Sequence, residues 1–245
     1  MKLSTWLTAA LVSASVTLAT DASAKAREDF EKVVPFSAGG QFSIKNDNGS
    51  ITIKTWNEDS IRIEAEKTAK DQEGLKDIEI VVTGSGDSVS VETVHHRRRN
   101  RGGVSYTITL PVEANVDAET ANGSVNVKGV HGHIKVRSVN GSLKLEDIAG
   151  DIEAKTTNGG IRARYTEATD GRHSFHTTNG SVRIYLPAGA GGELDAQTVN
   201  GSITTDFPTT VTRVSRRHLK GSFGGGGGAS YEIETVNGSI KILEN

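Results

Sequence analysis

The stretch "EAKTTNGGIRARY", residues 153–165, decides the fold, because its turn recurs along the chain. "FHTTNGSVRIY" repeats the turn 21 residues later, and "AQTVNGSITTD" repeats it after a further 21. The Asn-Gly pairs that share this frame are Asn48-Gly49, Asn122-Gly123, Asn140-Gly141, Asn158-Gly159, Asn179-Gly180, Asn200-Gly201 and Asn237-Gly238. A fixed period of 18 to 21 residues indicates a repeat architecture. Lys220-Gly221-Ser222 falls where a further copy is expected between Asn200 and Asn237.

Apolar residues occupy the positions six and four before each Asn and three and five after it. The repeat around Asn158, for example, has Ile152, Ala154, Ile161 and Ala163 at these positions, with mostly polar residues between them. Across all seven copies only His173 and Thr205 break this pattern. Strict alternation indicates half-buried β-strands rather than helices. The segments before Asn122, such as "SIRIEAEK" and "VSYTITLP", are also strands, but they are less regular.

A hydroxyl lies two residues before nearly every turn Asn, and this position is predicted to face inward. Its members are Thr120, Ser138, Thr156, Thr177, Thr198 and Thr235, with Asn46 as the exception. A type I′ hairpin turn explains Asn-Gly, because both residues tolerate positive φ. It does not explain the hydroxyl, whereas stacked coils about 4.8 Å apart would form ladders of like side chains. The sequence therefore predicts an all-β fold and favours a β-solenoid over the alternative, a long antiparallel meander of hairpins.

The N-terminus predicts export. Residues 1–24 combine Lys2, an apolar run and the small residues Ala22-Ser23-Ala24, which is the pattern of a secretory signal peptide. The chain has no cysteine, so neither disulfides nor a lipid-bearing cysteine is expected. We expect residues 25–245 to form one repeat domain, less regular over 25–110 and regular over 111–245. The protein is then periplasmic or secreted, without a transmembrane anchor.

The repeats also resemble a known family. "TWNEDSIRIEAEK", "VSYTITLPVEANVDAETANGSVNV" and the recurring T-x-N-G-S-(I/V)-x-(I/V) are similar to a bacterial putative-adhesin family of unknown function with β-strand repeats. The resemblance covers roughly residues 35–243. It implies an all-β repeat fold in the cell envelope, and it supplies no catalytic residues.

Two basic segments depart from an otherwise even charge pattern. "HHRRRNR" holds Arg97, Arg98, Arg99 and Arg101, and "RVSRRHLK" holds Arg213, Arg216, Arg217 and Lys220. They can be solvated loops that guard exposed sheet edges. They can also bind an anionic envelope polymer, lipid head groups or another envelope protein, provided that the fold brings them to one face. The formal net charge of −2 gives no reason to expect nucleic acid.

Catalysis is not expected from this composition. Serines belong to turns, the histidines do not form a ligand set, and no cofactor or metal is predicted. The alternative is a polysaccharide-active enzyme on a β-helix scaffold. It would need two carboxylates facing one groove about 5 to 9 Å apart, together with aromatic residues. Trp56 is the only tryptophan after the signal peptide.

Overall fold

The computed structural model describes residues 25–97, 102–224 and 227–245. The predicted signal peptide, residues 1–24, and three arginines of the first basic segment, Arg98, Arg99 and Arg101, lie outside the described residues. The described part holds nineteen strands and one short helix, α1 (Gln72–Lys76), and none of it forms a helix long and apolar enough to cross a membrane. The strands are β1 (Ala26–Asn48), β2 (Ile51–Trp56), β3 (Ser60–Ala69), β4 (Ile78–His95), β5 (Gly103–Pro111), β6 (Asn115–Asn122), β7 (Val125–Lys128), β8 (Ile134–Asn140), β9 (Leu143–Ile148), β10 (Ile152–Asn158), β11 (Ile161–Tyr165), β12 (Gly171–Asn179), β13 (Val182–Leu186), β14 (Gly192–Asn200), β15 (Ile203–Thr205), β16 (Thr209–Ser215), β17 (His218–Phe223), β18 (Ala229–Asn237) and β19 (Ile240–Glu244).

The two strands that flank each Asn-Gly pair belong to different sheets. Strands before the turns pair in parallel with one another, so Thr156 lies beside Ser138 and Thr177. Strands after the turns form a second parallel sheet, in which Ile161 lies beside Leu143 and Val182. We call these the front sheet and the back sheet. The chain is therefore a β-solenoid, as predicted, and the hairpin meander is wrong.

The core lies between the two sheets. Every residue of the predicted apolar columns is buried except Ile203 and Thr205, which lie on the short edge strand β15. His173 is buried as well, although it is polar. Because the interior is one continuous column, each coil adds its four inward side chains to those of its neighbours.

The coils are not stacked in sequence order at the C-terminal end. β18 pairs in parallel with both β12 and β14, so Thr235 lies between Thr177 and Thr198. The last coil of the chain is thus inserted between the two that precede it. The prediction of a further parallel copy at Lys220-Gly221-Ser222 is wrong, because β17 pairs antiparallel with β14. Its inward Leu219 and Phe223 imitate the repeat pattern without forming a coil.

The N-terminal end has a matching arrangement. The first coil, β1–β2, lies between the coil β4–β5 and the coil β6–β7. The N-terminal half of β1, Ala26 to Pro35, pairs antiparallel with β3 and forms the back-sheet edge. β4 folds back on itself at Gly84 and Gly86, both with positive φ, and the His96 N–H donates to the Asp77 carbonyl at 2.9 Å.

In most of the turns, glycine is needed because the backbones of neighbouring coils lie in contact there. A positive φ is not the reason. Of the predicted turn residues only Gly49, with φ of 123°, has a positive φ, so the type I′ explanation is wrong. A Cβ on Gly159 would instead overlap the carbonyl oxygen of Gly141 in the coil below. The same overlap recurs from Gly123 to Gly238.

The inward hydroxyls bind these carbonyls. Thr156 Oγ1 donates to the Gly141 carbonyl and Thr177 Oγ1 to the Gly159 carbonyl, each at 2.8 Å. The predicted hydroxyl-to-hydroxyl ladder is therefore wrong. It is the turn asparagines that form a ladder, in which each Nδ2 donates to the Oδ1 of the preceding coil at 2.8–2.9 Å, in the order Asn48, Asn122, Asn140, Asn158, Asn179, Asn237, Asn200.

Candidate binding surface at the C-terminal end

The second basic segment forms a hairpin at the C-terminal end of the front sheet. β17 pairs with β14 and β16 pairs with β17, so β16 is the outermost strand of that sheet. Arg213, Arg216 and Arg217 are exposed, and none of them has an ion pair among the residues that the structure describes. Lys220 differs, because its Nζ lies 2.8 Å from Asp195 Oδ2. Three of the four predicted cations are thus free to contact a ligand.

Asp195 anchors the hairpin to the stack. It accepts hydrogen bonds from Lys220 at 2.8 Å and Gln197 at 3.2 Å, and it lies 3.0 Å from His218 Nε2. Burial alone would raise the pKa of Asp195, but these hydrogen bonds lower it below its usual value. The carboxylate therefore stays ionised and neutralises the inner side of the hairpin, while the arginines remain on the outer side.

A shallow groove of about 590 Å³ begins beside the hairpin and crosses the front sheet next to the asparagine ladder. A row of β-branched side chains directly before the turns lines it, namely Thr157, Thr178, Val236 and Val199. A second row, two residues earlier on the same strands, consists of Lys155, His176, Glu234 and Gln197, and Arg217 lies at the hairpin end. The Arg217 carbonyl accepts from the Thr198 N–H at 2.9 Å, which fixes the hairpin tip beside the groove.

The charge in this groove is mixed but carries more positive groups. His176 Nδ1 lies 3.1 Å from Glu234 Oε2, so the single carboxylate already has a partner. Lys155 and Arg217 carry no ion pair among the described residues. Together with the β-branched row, they suit an elongated ligand that bears negative charge.

The described part of the first basic segment does not lie beside the second basic segment. Arg97 follows β4 at the N-terminal end of the stack and lies 3.5 Å from Asp77 Oδ1. The hairpin lies beyond β14 at the opposite end. Arg97 therefore does not share a face with the second segment. The other candidates in the first segment, Arg98, Arg99 and Arg101, lie outside the described residues.

An acidic groove of about 710 Å³ lies on the back-sheet edge at the N-terminal end. Asp29 faces Glu66 and Glu31 faces Glu64 across β1 and β3. Arg27 lies 3.5 Å from Glu66, and Arg62 lies 3.8 Å from Glu31. Sequence reasoning missed this groove, because the four carboxylates come from strands without the repeat. Their pairing could have been found only from the antiparallel register.

A buried polar cluster interrupts the core near the C-terminal end. His173 stacks on Tyr231 with ring centroids 4.6 Å apart, and it meets Tyr165 edge-on at 5.1 Å. Neither of its ring nitrogens makes a hydrogen bond of ordinary geometry within the described part of the chain. Burial lowers the pKa of His173 to about 4, although the Asp151 carboxylate acts in the other direction. His173 is therefore a neutral packing residue.

The structure shows no candidate metal site in residues 25–97, 102–224 and 227–245. No three His, Asp or Glu side chains in these ranges lie close enough together to hold an ion. Two of the described histidines each lie beside a single carboxylate. His96 lies 2.9 Å from Glu79, whereas His218 binds Asp195.

Comparison with known proteins identifies the family. Residues 28–243 match the model of the Toastrack DUF4097 family, and the chain belongs to that family. This confirms the family resemblance predicted from the repeats. A search of curated proteins gave no match.

Solved structures give more distant likenesses. A putative cell adhesion protein from Clostridium sporogenes is 13% identical with a TM-score of 0.48, and the alignment covers 89% of this chain and 100% of that one. A putative adhesin from Bacteroides fragilis is 10% identical with a TM-score of 0.35, over 89% and 97% of the two chains. A putative lipid binding protein from Parabacteroides distasonis is 11% identical with a TM-score of 0.36, over 89% and 96%. Likenesses of this strength carry no information about a ligand.

Proposed function

We propose that this protein is an exported, non-enzymatic binding module of the cell envelope, whose binding surface is the basic hairpin and the groove beside it. The observation that carries the proposal is the set of three exposed arginines, Arg213, Arg216 and Arg217, that have no acidic partner in the described chain. Guanidinium groups offer planar, paired donors that suit carboxylate, phosphate and sulfate. The partner is therefore anionic.

The rest of the molecule supplies a rigid support for this surface. The hairpin is fixed to the stack by backbone pairing with β14 and by the Asp195 contacts. Such a support lowers the entropy that is lost when a ligand binds. The predicted signal peptide and the envelope association of the resembled family support the location.

The test is binding of mature protein, residues 25–245, to vesicles that contain an anionic phospholipid and to a soluble acidic polysaccharide, each at two salt concentrations. We expect binding to weaken steeply with salt, because exposed charges are screened over about 8 Å at physiological ionic strength. Changing Arg213, Arg216 and Arg217 to Ser should weaken binding at least tenfold.

A matched control removes the same charge elsewhere. Arg162 and Arg164 lie over the Tyr185 ring on the outer back sheet, and Arg183 is on the adjacent strand. Changing these three to Ser should leave binding within about twofold. Equal weakening by both triple variants would show a response to net charge alone, and the hairpin would lose its assigned role.

One location in the structure favours the alternative function, a polysaccharide-active enzyme. The acidic groove places four carboxylates opposite one another, and Arg62 links Glu31 to the face of Trp56, whose ring centre is 5.1 Å from the guanidinium carbon. Release of reducing ends from envelope glycans by mature protein, abolished by Glu64→Gln or Glu66→Gln, would favour this alternative over the binding module.

A further inference from the structure

The two ends of the solenoid differ in how their outermost strands are protected. In the N-terminal half of β1, Ala26 to Pro35, five of ten residues are charged, and three of these have ion pairs on β3. Charged side chains of this kind prevent an exposed edge from pairing with another chain. That edge is therefore closed by its own composition.

β16 lacks this protection. Its sequence, "TTVTRVS", has one charge in seven residues, and every residue after Thr209 is exposed. Val214 is 68% exposed and Val211 is 46% exposed. Threonine and valine favour strands, so β16 presents its outer edge and apolar side chains in a conformation that is ready for pairing.

The charge around this edge indicates which partner fits. Arg213 lies on β16, and Arg216 and Arg217 lie at the hairpin tip. The hairpin from Thr209 to Lys220 contains four cations and no carboxylate. A second copy that pairs through its own β16 would bring these cations against one another. An acidic chain would neutralise them.

We infer that β16 is a docking edge for an extended acidic segment of another polypeptide, which adds to the front sheet as a further strand. This inference rests on the proposed function and names the anionic partner within it. Strand addition uses backbone hydrogen bonds for affinity and side chains for selection. Here the arginines select carboxylates, and the exposed valines contact alternate apolar residues.

A bulge limits how the partner pairs. The register between β16 and β17 shifts between Val211 and Arg213, so Thr212 is an extra residue. The edge therefore has a three-residue run on either side of the bulge. Backbone pairing over such short runs is weak, and the charge contacts must supply a large share of the affinity.

The test uses two synthetic peptides and mature protein. One peptide has eight alternating Val and Glu residues, and the other is the same peptide N-methylated at each peptide nitrogen. The methylated peptide keeps the side chains and charge but cannot donate backbone hydrogen bonds. We expect the unmodified peptide to bind at least tenfold more tightly, to slow hydrogen exchange over residues 209–215, and to lose at least tenfold in affinity when Arg213, Arg216 and Arg217 are Ser. The Arg162, Arg164 and Arg183 control should bind it normally.

Other results would overturn the inference. Equal binding of the two peptides would mean that charge alone attracts them, and the docking edge would be rejected while an anionic-ligand function survived. Protection outside residues 209–215, or no peptide binding at all, would reject it as well. Self-association of the protein with slowed exchange of β16 would assign the edge to a second copy. If the peptide binds but neither the vesicles nor the polysaccharide does, the function is confined to protein partners.

Discussion

Except in the outermost coil, the carbonyl oxygen of each turn glycine lies against the glycine of the next coil and accepts a hydrogen bond from the hydroxyl of that next coil. This contact explains two sequence features at once, because glycine is needed for the backbone approach and Thr or Ser for the hydrogen bond. Asn46, the exception, is explained as well. The neighbouring coil has no Asn-Gly turn, and Asn46 Nδ2 donates to the Val104 carbonyl at 2.8 Å.

Gly159→Ala should therefore destabilise the protein by about 1–3 kcal/mol, the usual cost of overpacking. The added Cβ meets the Gly141 backbone, which cannot rotate away. Gly160 provides the control, because a Cβ there meets only the Ser181 carbonyl, at 3.2 Å. Gly160→Ala should cost less than about 1 kcal/mol in urea unfolding. Equal losses would show that backbone contact does not explain the turn glycine.

His173 should make stability depend on pH. Its pKa of about 4 in the folded protein lies below the ordinary value of 6.5, so the unfolded chain binds the extra proton first. The stability from neutral His173 is complete above pH 6.5 and is lost as pH falls toward 4, by roughly 3 kcal/mol in all.

His173→Phe should retain the stacking on Tyr231 and make the unfolding free energy fall less steeply between pH 6.5 and 4 than in the wild type. His131→Gln, a change at an exposed histidine, should leave the slope as in the wild type. If the His173→Phe variant keeps the wild-type dependence of unfolding free energy on pH, that dependence comes from other groups.

At the scale of the element, the exposed asparagine ladder joins all seven corners in one direction. An internal member such as Asn158 donates to Asn140 and accepts from Asn179. The terminal Asn200 only donates, to Asn237. Because each net hydrogen bond contributes about 1 kcal/mol, internal and terminal members should differ.

Asn158→Ala should lower the free energy of unfolding by about 1–2 kcal/mol, and Asn200→Ala by about half as much. Chemical denaturation of both variants measures the difference. An equal or larger loss at Asn200 would contradict a ladder of cooperating amides.

Sequence reasoning recovered the strands and the solenoid because inward side chains alternate with period two. It failed where local pattern does not carry the information. Leu219, Gly221 and Phe223 alternate inward like a coil, yet β17 runs antiparallel. For the site, the sequence identified the hairpin cations but not the groove. The groove lining joins residues from four coils, and the order of those coils depends on the insertion of the last one.

At the scale of the whole molecule, the first and the last coil of the chain do not lie at the ends of the stack, because each is inserted between two other coils. β1–β2 and β18–β19 each have neighbouring coils on both sides. The terminal coils are thereby paired on both sides, and antiparallel strands lie outermost in the back sheet at the N-terminal end and in the front sheet at the C-terminal end. At the C-terminal end this arrangement places the basic hairpin outermost, where the proposed binding surface lies.

Cysteine cross-linking tests this coil order most directly, because the natural chain has no cysteine. The Ser239 N–H donates to Ser181 Oγ at 3.3 Å, and Ser239 Oγ lies 3.4 Å from Ser202 Oγ, so Ser239 is between the other two. Directly paired residues are within disulfide reach, whereas two strand spacings, about 10 Å, are not. Under mild oxidation, the account predicts a disulfide in Ser181→Cys/Ser239→Cys and none in Ser181→Cys/Ser202→Cys. A disulfide in the second variant and not the first would contradict it.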